Sequence, residues 1–365
     1  MSYEFLTRKL EEILGALEDE EFRRALERAV RNAEGKHEKA LSAAPYLVAL
    51  RDRARRAKQA FIDDPEGLIE RATRSLERMG ARVSLARTAR DAVETVLDVA
   101  RRTGGPVVMA KSMVAEEIGL REALEREGIE AWETDLGQLL IQLERGRPMH
   151  TTAPAIHISV ERARRLVSEK LGIPLPGDAG PEEIVAAVRR FLRDKFCRAR
   201  LGISGANSLA ADTGTIVLVE NEGNIRLATG LPPVHVAVVG ADKIVPTVED
   251  AVAVALVQAA YAGLWPPTYL NLISGPSSTA DIEHRRVMGA HGPRELHVVI
   301  VDNGRLRAAR EEPLREQLRC IRCGRCQWEC PVWRETANLW GGPVYGGPMG
   351  MGWTAITIAS ARRPS

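Results

Sequence analysis

The sequence has no run of eighteen apolar residues, so nothing in it reads as a membrane-crossing helix. It has no excess of either charge. Lys and Arg number 51 against 49 Asp and Glu, a net charge of +2. So even a balance gives no global field to gather nucleic acid or a membrane surface. Local basic runs such as Arg51-Asp52-Arg53-Ala54-Arg55-Arg56 contain an acid and read as a solvated helix face. The start, Met1-Ser2-Tyr3-Glu4, lacks the basic and apolar regions of a secretory signal. A Walker-type G-x4-G-K-[ST] loop is missing. Cysteine is scarce, with five in 365 residues, which excludes a disulfide framework. These absences lead us to expect a cytoplasmic protein with reduced thiols, no membrane span and no nucleic-acid partner.

Four of the five cysteines fall within eleven residues: Cys320-Ile-Arg-Cys323-Gly-Arg-Cys326-Gln-Trp-Glu-Cys330-Pro331. The spacing C-x2-C-x2-C-x3-C-P is that of bacterial ferredoxin motifs, which ligate [4Fe–4S] clusters through thiolates. Zinc ribbons instead separate two close pairs by a long gap. We therefore expect Cys320, Cys323, Cys326 and Cys330 to ligate iron. In two-cluster ferredoxins the fourth cysteine serves the other cluster. Trp328 and Trp333 flank the motif, either shielding it from water or simply packing. Cys197 reads as a buried or idle thiol.

The rest of the chain divides into an N-terminal helical segment (1–62), an α/β domain (63–305) and the cysteine segment (306–365). Apolar residues at three- and four-residue steps (Phe5, Leu6, Leu10, Ile13, Leu14, Leu17) predict a first helix. Asp64-Pro65-Glu66 is a helix start. Strands at 82–86, 106–110, 129–133, 216–219, 235–239, 268–273 and 296–301 alternate with helices. That rhythm argues a mostly parallel sheet covered by helices.

Residues just beyond such strands face a ligand crevice. Lys111-Ser112 and Glu133-Thr134-Asp135 occupy such positions, though Ser112 and Asp135 also suit helix capping. Residues 202–215 read as loops dense in small polar groups, and 220–224 as a turn. Ser274–Glu283 reads as a strand, a Gly/Ser/Thr loop and a helix start, a cradle of free N–H groups. The candidate anion pocket is thus Lys111, Asn207, Ser277, Ser278 and Thr279. His150 and His157 lie in non-helical sequence, which argues against a metal pair.

With these runs placed, residues from about 60 to 350 resemble the lactate utilization protein B family. The resemblance rests on Lys111-Ser112-Met113, Glu133-Thr134-Asp135-Leu136-Gly137, Pro154-Ala155-Ile156-His157, Asp212-Thr213-Gly214-Thr215, Glu220-Asn221-Glu222-Gly223-Asn224, Thr279-Ala280-Asp281-Ile282-Glu283 and the cysteine run. It implies a LUD domain, similar in fold to the sugar-phosphate isomerase and CoA-transferase superfamily. It implies an electron-transfer subunit, itself non-catalytic, of a system oxidising L-lactate to pyruvate. Its partners would be a second iron–sulfur protein and a smaller LUD protein. The family carries a second cysteine run further on, whereas this sequence reaches Ser365 without one. A truncated segment, Cys330 closing a single site, and ligands from a partner are the three readings that follow. Two other functions compete. Glu220-Asn221 resembles the glutamate nucleophile context of CoA-transferases, and a LUD pocket near Ser277–Thr279 would bind an organic anion without redox chemistry.

Overall fold

The structure is a computed structural model that describes residues 3–361; the side chains of Phe5 and Leu6 and residues 362–365 lie outside the described residues. Five helices come first: α1 (Tyr3–Glu18), α2 (Glu20–Ala33), α3 (Lys36–Ala43), α4 (Leu47–Asp63) and α5 (Pro65–Arg78). The α/β order then runs β1 (Arg82–Ala86), α6 (Ala89–Thr103), β2 (Val107–Met109), α7 (Met113–Glu117), α8 (Leu120–Arg126), β3 (Ala131–Glu133) and α9 (Leu136–Glu144). Helices α10 (Val160–Leu171) and α11 (Pro181–Arg198) lead to β4 (Leu201–Ser204), β5 (Ser208–Ala210), β6 (Ile216–Glu220), α12 (Asn224–Gly230), β7 (Val234–Gly240), β8 (Ile244–Val245) and α13 (Val248–Tyr261). Next come β9 (Tyr269–Ile273), β10 (Ser278–Thr279), β11 (Val287–Met288) and β12 (Glu295–Val301). The tail holds α14 (Arg305–Arg310), α15 (Glu312–Arg315), α16 (Arg325–Trp328), α17 (Pro331–Thr336) and α18 (Gly347–Ala361).

Local chemistry sets the helix starts. Asp64 accepts the Gly67 N–H at 3.0 Å with Pro65 at the first helical position, satisfying an orphan donor where proline's missing N–H does no harm. Thr88 and Asp91 close a reciprocal capping box on α6.

Six strands form one sheet in the order β1-β12-β7-β4-β2-β3, every neighbouring pair parallel. A parallel sheet needs cover on both faces, so its central strands run as apolar stretches. All of β7 is buried, and β12 is buried from Leu296 to Val301. One face packs on Leu68, Leu76, Leu318 and Trp353. The other packs on Val96, Leu97, Leu120 and Leu124. A smaller mixed sheet, β8-β5-β6-β9, lies alongside, with α13 and α4 packed on it. The α/β class expected from the rhythm of strands and helices is the class observed.

Four local expectations are corrected. Leu201–Ser204 is not loop but the buried central strand β4. Its Gly202 is there because α12 rests on it: a Cβ would stand 1.7 Å from the Ala228 carbonyl oxygen. Ser277–Thr279 does not lead into a helix; Ser278 and Thr279 pair antiparallel with Met288 and Val287. Residues 220–224 are more than a turn, since Gly223, at φ +83°, opens α12. Cys197 is exposed rather than buried.

Candidate functional site

Four neighbouring strands of the parallel sheet end at one cavity of about 350 Å³. Lys111 and Ser112 follow β2, Asp135 follows β3, Gly205 to Asn207 follow β4, and Lys243 follows β7. The end of β6 supplies Glu220 and Glu222, and α13 supplies Gln258. This is the carboxyl edge, where open parallel sheets place their crevices because strand order reverses there. Here β2 has β3 on one side and β4 on the other. Ser112 accepts the Ala115 N–H at 3.2 Å and Asp135 the Gln138 N–H at 2.9 Å, so both cap helices while lining the cavity. Gly205 lets the chain pass Ser112: a Cβ would lie 2.5 Å from its hydroxyl oxygen.

The cavity is electrically polarised along the sheet. At the β7 end stands Lys243, only 5% exposed. Its ammonium makes no hydrogen bond or ion pair among the described residues, and burial pushes it well below the ordinary lysine range. At the β3 end stand Asp135 and, on the rim, Glu222, which accepts the Leu136 N–H at 3.2 Å. Lys111 sits between, donating to the Thr151 carbonyl, its ammonium also lowered by burial. Behind Lys111, burial and the neighbouring Glu122 raise Glu116 to about 7. Glu133 is raised well above the carboxylate range by burial and by Glu116, and one of its oxygens has no partner.

Glu220 lines the same cavity, but both of its oxygens are engaged. Oε1 accepts Arg226 Nε at 2.6 Å and Asn271 Nδ2 at 3.0 Å, and Oε2 accepts the Arg226 N–H at 3.1 Å. The Arg226 guanidinium lies 3.5 Å from the centre of the Tyr269 ring. So fastened, the carboxylate anchors α12 rather than pointing free as an attacking group.

The cysteine loop forms one wall of the cavity through Arg322. Arg322, at φ +59°, turns the chain between Cys320 and Cys323. Its guanidinium grips Asp242 at 2.8 and 3.2 Å, its carbonyl accepts Gln258 Nε2 at 3.3 Å, and Trp353 stacks on it at 3.8 Å. Asp242 also takes Arg305 Nε at 2.6 Å and pairs with Lys58 at 3.5 Å. Arg305 reaches Glu117 through two bonds of 2.8 and 2.7 Å, and Tyr345 donates to Glu117 at 2.7 Å. Lys58, Arg305 and Arg322 thus meet only two carboxylates in a fully buried network. Buried cations in excess favour negative charge above them.

The thiols present a donor set suited to a cluster. Two of the sulfurs meet a backbone N–H, Cys320 that of Arg322 at 3.4 Å and Cys330 that of Trp333 at 3.5 Å. Such donors stabilise thiolate and tune bound clusters. Without a cation, burial pushes the Cys323 thiol up to about 12, and Cys320 and Cys326 add to the shift. Among the described residues no three His, Cys, Asp or Glu side chains converge enough to hold one metal ion. A cubane asks for less convergence, because each thiolate takes its own iron. What makes these residues suit a cluster rather than a single zinc is their spacing, which is not that of a zinc ribbon.

Behind the loop, Trp328 and Trp333 pack edge to face at 5.0 Å, and His150 lies 4.1 Å from Trp328. His150 Nδ1 accepts N–H groups of Thr152 and Ala153, so its proton sits on Nε2, facing the Gly324 carbonyl. Burial lowers its pKa to about 3. The imidazole is thus a neutral part of the wall, and Trp328 and Trp333 are packing residues against Phe22, Leu26 and Val30 of α2.

Of the anticipated pocket, Lys111 and Asn207 line the cavity. Ser277, Ser278 and Thr279 do not: they belong to the hairpin, where Ser277 Oγ accepts the Gly292 N–H and Thr279 donates to Asp281. Lys243 and Arg322 were missed. Lys243 had a legible signal, since it follows a strand as Lys111 does. Arg322 had none, because a spacing motif says nothing about its spacer residues.

A family profile described as LUD domain matches residues 69–301. The uncharacterized electron transport protein YkgF of Escherichia coli K12 is 35% identical over 92% of this chain and 68% of its own length. Lactate utilization protein B of Bacillus licheniformis is 36% identical over 82% of this chain, and that of Bacillus subtilis 168 is 36% identical over 80%. The match covers 61% and 60% of those two proteins, so the chain spans about three fifths of their length. A crystal structure of a DUF162 family protein from Deinococcus radiodurans aligns with 65% of this chain and 98% of its own, at a TM-score of 0.36 and 18% identity.

Proposed function

The chain belongs to the lactate utilization protein B family of LUD-domain proteins, and from that premise we propose that it is an iron–sulfur electron-transfer component of a lactate-utilization system. The observation that carries the reading is the cysteine loop, four thiols within eleven residues, two of which meet a backbone N–H, beside a buried cationic network. Cys320, Cys323, Cys326 and Cys330 would hold the cluster. When bound, a [4Fe–4S] cluster supplies one-electron transfer at a potential set by charge, burial and hydrogen bonds to sulfur.

The protein's own residues supply the setting. Arg322 orients the loop by gripping Asp242. Trp328, Trp333 and His150 pack behind it. Lys58, Arg305 and Arg322 favour the negative charge that a reduced centre adds. The partners of this component would be the other subunits of such a system, a second iron–sulfur protein and a smaller LUD protein. No helix among the described residues is long and apolar enough to cross a membrane.

Anaerobic reconstitution of the full chain with iron and sulfide tests the reading. About four irons per chain and a low-temperature EPR signal on reduction are expected, both lost in Cys320→Ser/Cys323→Ser. A wild-type chain that takes up no iron, or that carries zinc after anoxic purification, overturns it.

A further inference from the structure

Lys243 poses a question that the cluster reading does not answer. An ammonium 5% exposed and without a partner is costly to bury. Nearby, Lys58, Arg305 and Arg322 all reach carboxylates and Lys111 donates to a carbonyl. Lys243 instead lines the cavity. A buried amine with no hydrogen bond or ion pair, facing a cavity, is a group whose charged form an entering anion would stabilise.

We propose that the cavity at the carboxyl edge of the sheet binds a polyhydroxylated organic acid, with its carboxylate on Lys243 and its hydroxyls toward Asp135 and Glu222. The size and polarity of the space select this class. The volume, about 350 Å³, lies at the small end of the range for ligand sites. Lys243 follows β7 and Asp135 follows β3, three strand spacings apart, or about 14 Å. A two- or three-carbon acid reaches one end only. A plain fatty acid of adequate length would set a methyl group against two acidic groups and leave the lone pairs not taken by the Gln138 and Leu136 N–H groups without donors. A chain of about six carbons bearing hydroxyls answers both ends, because hydroxyls donate to acids while the carboxylate neutralises the amine. The inference goes beyond the electron-transfer reading and does not require it.

Binding to the full-length protein, followed by calorimetry, is the test, with D-gluconate as probe and hexanoate, L-lactate and inorganic phosphate as comparisons. Saturable gluconate binding is expected, at least tenfold tighter than any of the three. Lys243→Met should weaken it at least tenfold, and Lys243→Arg should restore most of it. Lys243→Met should also melt higher than wild type without ligand, since a buried amine with no hydrogen-bond partner has gone. That rise separates lost binding from misfolding. No saturable gluconate binding at 10 mM, roughly a thousandfold above the micromolar range of specific sites, overturns the proposal. So does equal affinity for hexanoate or phosphate, or a Lys243→Met chain that binds as wild type does. Iron content is read in parallel: iron lost with gluconate kept sinks only the cluster reading, and iron kept without gluconate sinks only this one.

Discussion

At the scale of single residues, Asp242 does the most with the least. One carboxylate faces Arg322, Arg305 and Lys58 in the buried interior, and these three cations hold it well below the usual carboxylate range. Its folded pKa is depressed, so its stabilisation is complete above the unfolded value of about 3.9 and is lost as pH falls through the folded one. Asp242→Asn strands Lys58 and Arg322 while Arg305 keeps Glu117, and a urea titration at pH 7 should show a loss of about 3–5 kcal/mol. Glu116 works in the opposite sense. Burial and Glu122 raise it to about 7, against the lowering pull of Arg121, Lys111 and Gln138. Between the unfolded value near 4.5 and about 7 the folded chain holds a proton that the unfolded chain has released, so stability falls as pH rises across that window. The slope should amount to at most about 3 kcal/mol. In Glu116→Gln a pH series of denaturation midpoints should be flatter there; an unchanged profile would assign the slope elsewhere.

At the scale of elements, the contact of β4 with α12 holds the cavity in shape. Gly202 gives the Ala228 carbonyl room, and α12 then brings Asn224 and Ile225 to the cavity wall. Gly202→Ala forces the helix outward, at a cost of roughly 1–3 kcal/mol. It should weaken gluconate binding while leaving iron content as it was; calorimetry and iron assay check the two halves. The same contact explains what the sequence hid. Leu201-Gly202-Ile203-Ser204 is short and carries glycine, so neither periodicity nor β propensity marks it as a central strand. Only the helix lying across it accounts for that glycine. The runs at 234–240 and 295–301 were legible because parallel strands buried on both faces read as apolar stretches; the mostly exposed edge strand at 82–86 was legible only from the helices on either side of it. The hairpin at Ser278–Thr279 misled because strand, glycine and hydroxyl residues also spell a helix start, and only its pairing with Val287–Met288 decides. In the site, Lys111 and Asn207 were visible as strand-end residues. Arg322 and the knot around Asp242 were not, since partners brought together by folding leave no local pattern.

At the scale of the whole molecule, the early helices and the cysteine segment share one apolar cluster. Phe22, Leu26 and Val30 of α2 bury against Trp328, Trp333 and Leu339. Leu26→Ala should lower stability by about 2–5 kcal/mol through the cavity it leaves. It should also speed bleaching of the reconstituted cluster in air, as followed by visible absorbance; a bleaching rate equal to wild type would confine α2 to a structural part. This joint has a consequence for how the protein is made. Ribosomes add about 5–20 residues each second, so α2 is finished on the order of tens of seconds before the tryptophans that cover it emerge. For that interval its greasy side is bare on the growing polypeptide. That exposure ends only when the aromatic lid made near the C-terminus shuts on it.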